Sequence, residues 1–382
     1  MKNLEIFWRF LLLGLMSFGG PAAHLGYFRI LFVTRLQWLD EHTYTRLIAL
    51  SHFLPGPSSS QVGFAIGLQR AGVVGAFLAF IAFTLPSFVI LYLLAIAQVD
   101  YQDSKLFQGL ISGLKLFAVV VVLDAVASMS KAFIKERLTF IIFLLATSYL
   151  IFFSGIVNQI VVLIVATSFG VLFLKADSKD AVPEKSPKLN KVALILFVAL
   201  LVGLPFLVDF SSTLKLFTSF YQAGSLVFGG GHVVLPLLQE SLVASVRKDE
   251  LLIGYAAAQA VPGPMFTISS YLGATMMTDA PFVGAMIATL AIFLPGFLLI
   301  LGLHDSWESY AKKPKFVGAI KALNATVVGL LVTVLYDPVI THAISSYWHV
   351  ILVLLGIYLL RIRKVPIIYL VLLFGGIGMI NS

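Results

Sequence analysis

The sequence contains no cysteine and few charged residues. Of its 382 residues, 12% are Asp, Glu, Lys or Arg, against about 25% in an ordinary soluble domain. So little charge cannot coat the water-facing surface of a chain this long, which disfavours a soluble enzyme, a disordered chain and a secreted disulfide scaffold. The lack of cysteine also excludes a thiolate metal site and a cysteine nucleophile.

Long apolar stretches take the place of the missing charge. Hydrophobic residues make up 59% of the chain, and a bilayer core needs roughly 20 apolar residues per helix. The sequence therefore predicts an all-α polytopic membrane protein with about nine full spans. We place the spans at 72–97, 106–128, 138–153, 156–174, 192–208, 281–303, 316–336, 346–361 and 366–380.

Four further apolar segments are interrupted by glycine and proline. They cover 7–35, 47–70, 214–246 and 251–277. Proline lacks an amide donor and glycine loosens a helix, and exposed backbone cannot face lipid. We therefore expect four re-entrant helical hairpins whose breaks lie inside the protein or along a wet cavity.

The chain repeats its landmarks in the same order. Phe-Gly-Gly at 18–20 returns at 228–230, an offset of 210, and Pro-Gly-Pro at 55–57 returns at 262–264, an offset of 207. Interrupted hydrophobic segments in corresponding halves are typical of transporters. Three more matches have an offset of 209: Asp40-Glu41 with Asp249-Glu250, Pro86 with Pro295, and Phe107 and Gly109 with Phe316 and Gly318.

The distribution of Lys and Arg predicts that the two repeats are inverted. The net charge of +8 follows from 26 basic and 18 acidic residues, and basic loops favour the cytoplasm. With the lysine-rich linker 175–191 inside, the loops around 131–137, 312–315 and 361–364 also lie inside, whereas Asp100 and Asp103 lie outside. We predict a first repeat at 1–174, the cytoplasmic linker, an inverting helix at 192–208 and a second repeat at 209–382.

A helix start after the first Pro-Gly-Pro is a candidate anion site. Ser58, Ser59, Ser60 and Gln61 follow the break, where a helix offers free amide donors and a positive dipole end. The alternative is that the serines only cap the helix. The corresponding stretch 265–268 has fewer polar groups, so we expect the anion nearer the first repeat. Asp40-Glu41 and Asp249-Glu250 are expected to cap the helices that lead into the two breaks.

Several other residues have two interpretations. The Phe-Gly-Gly segments allow close approach of a ligand or of the other repeat. His24 and His232 could take part in proton coupling or serve as ordinary hydrogen-bonding groups. Lys115, at membrane depth, could attract an anion or pair with Asp124. A basic cluster on the predicted cytoplasmic side could collect anions or only fix the topology; it contains Arg29, Arg35, Arg46 and Arg70.

Long motifs in both halves resemble the chromate ion transporter family. In the first half these are FGGPxxHxGYFR (18–29), FLPGPxSSQVG (53–63) and RAG…FTLPS (70–87). In the second half they are FGGGHVVLP (228–236) and AAAQAVPGP (256–264). The resemblance covers nearly the whole chain and is closest to the long-chain form with two fused domains.

The resemblance implies export of chromate from the cytoplasm, driven by the proton gradient, in a multi-pass protein of the bacterial cytoplasmic membrane. Sulfate is the natural competitor. We expect a small oxyanion and the lipid bilayer as partners and a homodimer as the candidate assembly, without nucleic acid, cofactor or metal. Motif position and the interpretations above give these candidate substrate-binding residues: Phe18, Gly19, Gly20, Pro21, His24, Arg29, Pro55, Gly56, Pro57, Ser58, Ser59, Ser60, Gln61, Arg70, Lys115, Gly229, Gly230, Gly231, His232, Gln259, Pro262, Gly263 and Pro264.

The two halves are not expected to bind equivalently, since Gly231 replaces Pro21 and Gln259 replaces His52. One alternative is a carrier or channel for sulfate or another anion. Another is an intramembrane enzyme that acts on a lipid phosphate. The sequence lacks the HExxH and GxSxG motifs that would favour an enzyme, and lacks a Walker motif for direct use of ATP.

Overall fold

The structure is a computed structural model that describes residues 1–101, 104–174, 189–242, 245–304 and 313–380, with backbone alone at 99–100. Helices make up nearly all of these residues, which confirms the predicted all-α class. Most of the predicted linker (175–188), Asp103, the Asp100 side chain and Lys312 lie outside the described part.

The first repeat forms seven helices, of which the fourth has a sharp break. The break in α4 falls at Ala71 and Gly72, where Gly72 takes a φ of 66° that favours glycine. It divides a short re-entrant arm from a full span, as the predicted boundary between 47–70 and 72–97 requires. The helices are α1 (Lys2–Met16), α2 (Gly20–Phe28, continued as a π-helix to Arg35), α3 (Glu41–Phe53), α4 (Ser58–Asp100), α5 (Lys105–Phe133), α6 (Arg137–Phe152) and α7 (Ile156–Phe173).

The second repeat follows a separate helix, α8 (Lys191–Gly203), which continues as a 3₁₀ turn to Phe210. Two of its hairpin arms, α10 and α12, begin with a short 3₁₀ turn. Its helices are α9 (Ser212–Leu226), α10 (Val234–Ser241), α11 (Lys248–Ala260), α12 (Ile268–Met276), α13 (Pro281–Leu303), α14 (Pro314–Val334, extended to Ala343), α15 (Tyr347–Arg361) and α16 (Ile367–Ile380).

In the described part of the chain, nine apolar helices lie at the nine predicted spans. Six are long enough to cross a membrane: 58–98, 105–133, 156–173, 191–210, 281–303 and 314–343; three shorter ones lie at 137–152, 347–361 and 367–380. Helices α13 and α14 are the most buried of the six, whereas the segment 191–210 that contains α8 is the least buried. The centre of the protein is therefore built from the repeats, and α8 lies at its edge.

The repeats use the same close helix contacts. A Cβ built on Gly14 of α1 would lie 2.6 Å from the carbonyl oxygen of Phe83 in α4. At the corresponding place in the second repeat, Gly224 of α9 lies against the carbonyl of Ile292 in α13. Because both glycines let two backbones touch, they mark the same helix crossing in each half.

The last helices of each repeat pack against the other repeat. Helix α5 packs against α15 and α16, and in the same way α14 packs against α6 and α7. One of these contacts is an ion pair, in which Arg361 Nε donates to Asp124 Oδ1 at 2.6 Å. The two repeats are thus interlocked, and neither half buries its own apolar faces alone.

The expected helix caps are only partly correct. Asp40 caps α3, since its carboxylate accepts the backbone N–H of Thr43, and this bond lowers the pKa of Asp40. Glu250 accepts the N–H of Arg247 at the start of α11. Asp249 instead pairs with Lys115. Helices α3 and α11 begin at Glu41 and Lys248, an offset of 207 rather than 209, because the Pro-Gly-Pro loop that ends each helix repeats at an offset of 207.

Candidate functional site

The four breaks require backbone conformations that favour glycine. At the first Phe-Gly-Gly, Gly19 has a φ of 100°, and at the second, Gly230 has a φ of 137°. The central residues of the two Pro-Gly-Pro loops, Gly56 and Gly263, have φ values of 125° and 103°. A side chain at any of these positions would strain the backbone, which explains the spacing of glycine in the sequence.

The breaks of the two repeats meet through reciprocal hydrogen bonds. The N–H of Gly56 donates to the carbonyl of Val227 at 2.8 Å, and the N–H of Gly263 donates to the carbonyl of Ser17 at 2.9 Å. Ser17 and Val227 each precede a Phe-Gly-Gly segment. Each Pro-Gly-Pro loop therefore bonds to the Phe-Gly-Gly break of the other repeat.

Two equivalent residues also face each other at this meeting point. A Cβ built on Gly231 would lie 3.4 Å from Cγ of Pro21. Each Pro-Gly-Pro loop also touches the proline-containing span of the other repeat, since Gly56 lies against Gly296 and Gly263 against Ser87. The Phe-Gly-Gly breaks and the Pro-Gly-Pro loops of both halves thus meet at one centre between the repeats.

The serine-rich start of α4 lies within this centre. Ser58, Ser59, Ser60 and Gln61 are all less than 5% exposed. The N-cap residue is Pro57, which has no side chain that can accept an N–H of the first turn. The Oγ of Ser60 has no hydrogen-bond partner among the described residues, an uncommon situation for a buried hydroxyl.

His24 joins the first Phe-Gly-Gly break to this helix start. Its Nδ1 lies 3.1 Å from Oγ of Ser59, and its Nε2 lies 3.1 Å from the carbonyl oxygen of Ser17. Nearby, Gln61 Nε2 donates to the carbonyl of Pro55 at 2.9 Å. Within the described residues, the Oγ of Ser17 is a second buried hydroxyl without a partner. Both ring nitrogens of His24 thus have hydrogen-bond partners, while the hydroxyls of Ser17 and Ser60 have none among the described residues.

The second repeat uses its polar groups internally. His232 Nδ1 lies 2.8 Å from the hydroxyl of Tyr255, and Gln259 contacts the sulfur of Met265. Thr267, near the helix start, donates to the carbonyl of Pro264 at 2.6 Å. These groups are therefore hydrogen-bonded within the protein, whereas the Ser60 hydroxyl has no partner among the described residues. The placement of the anion nearer the first repeat stays a prediction.

The basic candidates lie apart from the centre and pair with carboxylates. Arg29 Nε donates to Glu41 at 2.8 Å with both side chains more than half exposed. Arg70 lies 3.6 Å from Glu5 and stacks over the ring of Trp38. Both guanidinium groups therefore contact carboxylates away from the serine-rich helix start.

Lys115 pairs with a carboxylate of the second repeat. Its Nζ lies 2.7 Å from Oδ1 of Asp249, so the alternative of a pair with Asp124 is wrong, whereas attraction of an anion stays a prediction. Asp124 binds Arg361 instead, because α15 crosses α5 at that level. From spacing along one helix alone, a carboxylate on another repeat cannot be found.

A cavity of about 520 Å³ extends to the second Phe-Gly-Gly break. It lies between α3, the end of α5, the start of α6 and α14, and we name it the α14 cavity. Its lining includes His52, Gly229 and Asn324, and also Lys321, which binds Glu136 at 2.5 Å. It connects the surface with one of the four breaks.

The chromate transporter family model matches the chain over residues 4–171 and again over residues 214–379. The chain belongs to the chromate transporter family. The two matched segments are the two repeats, which fits the inverted-repeat organisation. This chromate transporter family member is therefore a multi-pass membrane transporter, not an enzyme.

Three relatives illustrate the extent of the similarity. An uncharacterized transporter of Methanocaldococcus jannaschii is 28% identical over 97% of this chain and 92% of the relative. A probable chromate transport protein of Synechococcus elongatus is 28% identical over 84% and 81%, and a chromate transport protein of Cupriavidus metallidurans is 26% identical over 84% and 79%. No solved structure has significant similarity to this family member.

Sequence reasoning missed four residues that shape the centre of this chromate transporter family member. Ser17 and Val227 supply carbonyl acceptors, Gly296 allows the Pro-Gly-Pro loop to approach, and Asp249 binds Lys115. The first two directly precede the Phe-Gly-Gly motifs, and that adjacency is the signal that could have identified them. The last two become visible only when the repeats are placed together.

Proposed function

We propose that this protein is a secondary active transporter that exports chromate from the cytoplasm, coupled to the proton gradient, in the bacterial cytoplasmic membrane. Support comes from relatives that are themselves named chromate transport proteins and align with most of the chain. Broken helices that meet between two repeats are the usual setting of a substrate site in secondary transporters. Sulfate, a tetrahedral dianion of similar size, is the expected competitor.

The single observation that carries the proposed site is the buried, unpartnered hydroxyl of Ser60 at an uncapped helix start. A dianion there would accept hydrogen bonds from the N–H groups of the first turn of α4 and from the hydroxyl of Ser60, at the positive end of the helix dipole. Ser17 offers a further hydroxyl from the neighbouring break. Binding a dianion through neutral donors avoids burying a cation permanently in the membrane.

The two histidines are the candidates for proton coupling. His24 bonds directly to Ser59, so a change in its protonation would alter the hydrogen bonding of the proposed anion site. His232 lies at the matching break and bonds to Tyr255. A proton taken up by either ring as the anion leaves would link the two fluxes.

Transport by purified protein in liposomes tests the activity. With an imposed pH gradient, we expect chromate flux well above that of empty liposomes and a lower flux in excess sulfate. No flux above the empty liposomes would refute chromate transport. A chromate flux that is the same with and without the pH gradient would refute the proton coupling and favour an anion channel or uniporter.

Replacement of Ser60 tests the site. We expect Ser60→Ala to raise the half-saturating chromate concentration by roughly 10- to 150-fold, because a hydrogen bond to a charged group contributes about 1.5–3 kcal/mol. The matched control is Thr267→Ala, since Thr267 lies near the equivalent helix start and bonds to its own loop. An unchanged affinity in both Ser60→Ala and the double variant Ser59→Ala with Ser60→Ala would mean that the serines only stabilise the helix.

A further inference from the structure

The protein contains a second cavity in the position that corresponds to the α14 cavity. It has a volume of about 870 Å³ and lies between α5, the start of α15 and the end of α16; we name it the α5 cavity. Ser112 in its lining corresponds to Lys321 in the lining of the α14 cavity, at an offset of 209. His349 in its lining corresponds to Thr139 in the lining of the α14 cavity, at an offset of 210. The two cavities touch opposite ends of α5, near Lys105 and near Phe133.

The two cavities differ in whether they extend to the centre. The α14 cavity is lined by Ala49 and His52 of α3 and by Gly229 of the second Phe-Gly-Gly break. Within the described part of the chain, the lining of the α5 cavity contains residues of α5, 346–352 and α16, without the first Phe-Gly-Gly break or α11. One cavity therefore leads to the break region, whereas its counterpart stops short of it.

The position of α11 explains the difference. Helix α11 packs closely on α5, so that Ala256 and Gln259 are buried. Their equivalents in α3, at an offset of 207, are Ala49 and His52, and both are exposed. The same pair of helices is thus packed together in one half. In the other half the α14 cavity separates them, and they still touch through the stacked rings of Phe53 and Phe316.

An ion pair holds the packed side. Lys115 of α5 and Asp249 of α11 are 2.7 Å apart, and the lysine side chain is 18% exposed. The equivalent positions on the separated side are Asn324 of α14 and His42 of α3, which cannot form a matching pair of opposite full charges. The interaction that fastens one side therefore has no charged counterpart on the other.

We propose that the α14 cavity is the open access route of the anion in this state, and that the Lys115–Asp249 pair closes the equivalent route at the opposite end of α5. In the alternate state, the arrangement of α11 on α5 and the arrangement of α3 beside α14 are exchanged. In that state α3 packs on α14, α11 leaves α5, and the ion pair breaks. Lys115 is then a gating residue, a role that differs from direct binding of the anion.

Thiol labelling tests the gate, because the natural chain contains no cysteine. Ala49→Cys and Ala256→Cys form a matched pair at equivalent positions of α3 and α11. Each is made singly, in liposomes, and its rate of reaction with a membrane-impermeant maleimide is measured from either side. We expect fast labelling of Ala49→Cys from the side of the α14 cavity, the predicted cytoplasmic side, and slow labelling of Ala256→Cys.

Asp249→Asn is then added to each single-cysteine protein. We expect labelling of Ala256→Cys from the opposite side to increase roughly two- to fivefold, the range that corresponds to loss of a partly exposed ion pair, with slower labelling of Ala49→Cys. Glu250→Gln is the control, since Glu250 binds Arg247 on its own helix. The charge exchange Lys115→Asp with Asp249→Lys is expected to restore the original rates.

Two results would overturn the proposal. Equal labelling of Ala49→Cys and Ala256→Cys in the otherwise natural chain would mean that neither side is closed. Unchanged rates after Asp249→Asn, in protein that remains monodisperse, would mean that the ion pair does not hold the gate. The identity of the cargo rests on the proposed function, whereas these rates are measured without chromate, so the two proposals can fail separately.

Discussion

The helix crossing at Gly14 gives a quantitative test of the repeat architecture. Gly14→Ala would place a methyl carbon 2.6 Å from the carbonyl oxygen of Phe83 and 3.1 Å from that of Ala82. Ordinary contacts of a Cβ begin at 3.4 Å. The difference of 0.8 Å (3.4 − 2.6) must come from separation of α1 and α4, because backbone atoms cannot rotate away as a side chain can.

The size of the effect follows from two opposing terms. Overpacking of a close contact costs about 1–3 kcal/mol, while alanine is favoured over glycine inside a helix by up to about 1 kcal/mol. We therefore expect Gly14→Ala to lower the free energy of unfolding by about 1–2 kcal/mol. At roughly 2–4 °C per kcal/mol, the apparent melting temperature falls by about 2–8 °C.

Thermal unfolding of the purified protein in detergent measures this change. Gly26→Ala in α2 is the matched control, since a Cβ there has no neighbouring atom within 4 Å. If the repeats are equivalent, Gly224→Ala destabilises in the same sense through its contact with Ile292. A Gly14→Ala protein that melts at the same temperature as Gly26→Ala would refute the reasoning that this glycine sets the helix distance.

Three further predictions concern the frame around the site. Arg361→Leu should lower the unfolding free energy by about 1–3 kcal/mol in a chemical denaturation experiment, because it leaves Asp124 half-buried and unpaired; Asp124→Asn combined with Arg361→Gln should cost less. Gly56→Ala should reduce transport and stability more than Gly20→Ala. At Gly56 the strain of a φ of 125° adds to close contacts of the new Cβ with Gln61 and Gly296, whereas a Cβ on Gly20 has no atom within 4 Å. The pKa of Asp40 is lowered in the folded state, so its cap stabilises α3 at neutral pH and is lost as the pH falls through that lowered pKa; Asp40→Asn should flatten this part of a melting curve against pH.

The sequence predicted the elements well because membrane helices are governed by local composition. Each of the nine apolar stretches became a helix, and each Gly/Pro interruption became a break, for reasons contained in a few neighbouring residues. The same local logic identified the serine-rich start at Ser58 and the glycine positions at Gly56 and Gly263. It failed for the alternative pair of Lys115 with Asp124 and for the expected Asp249 cap, because Lys115 and Asp249 bind each other across the two repeats.

By itself, the sequence determined the class of protein, the duplication and the segments that carry the candidate site. These follow from hydropathy, from the order of motifs and from backbone rules for glycine and proline. Only the tertiary structure decided that each Pro-Gly-Pro loop bonds to the opposite repeat, that the Ser60 hydroxyl has no partner among the described residues, and that Lys115 binds α11 to α5. The physical reason is that contacts between residues more than a hundred positions apart depend on how helices cross. The composition of a single helix does not determine where and at what angle another helix crosses it.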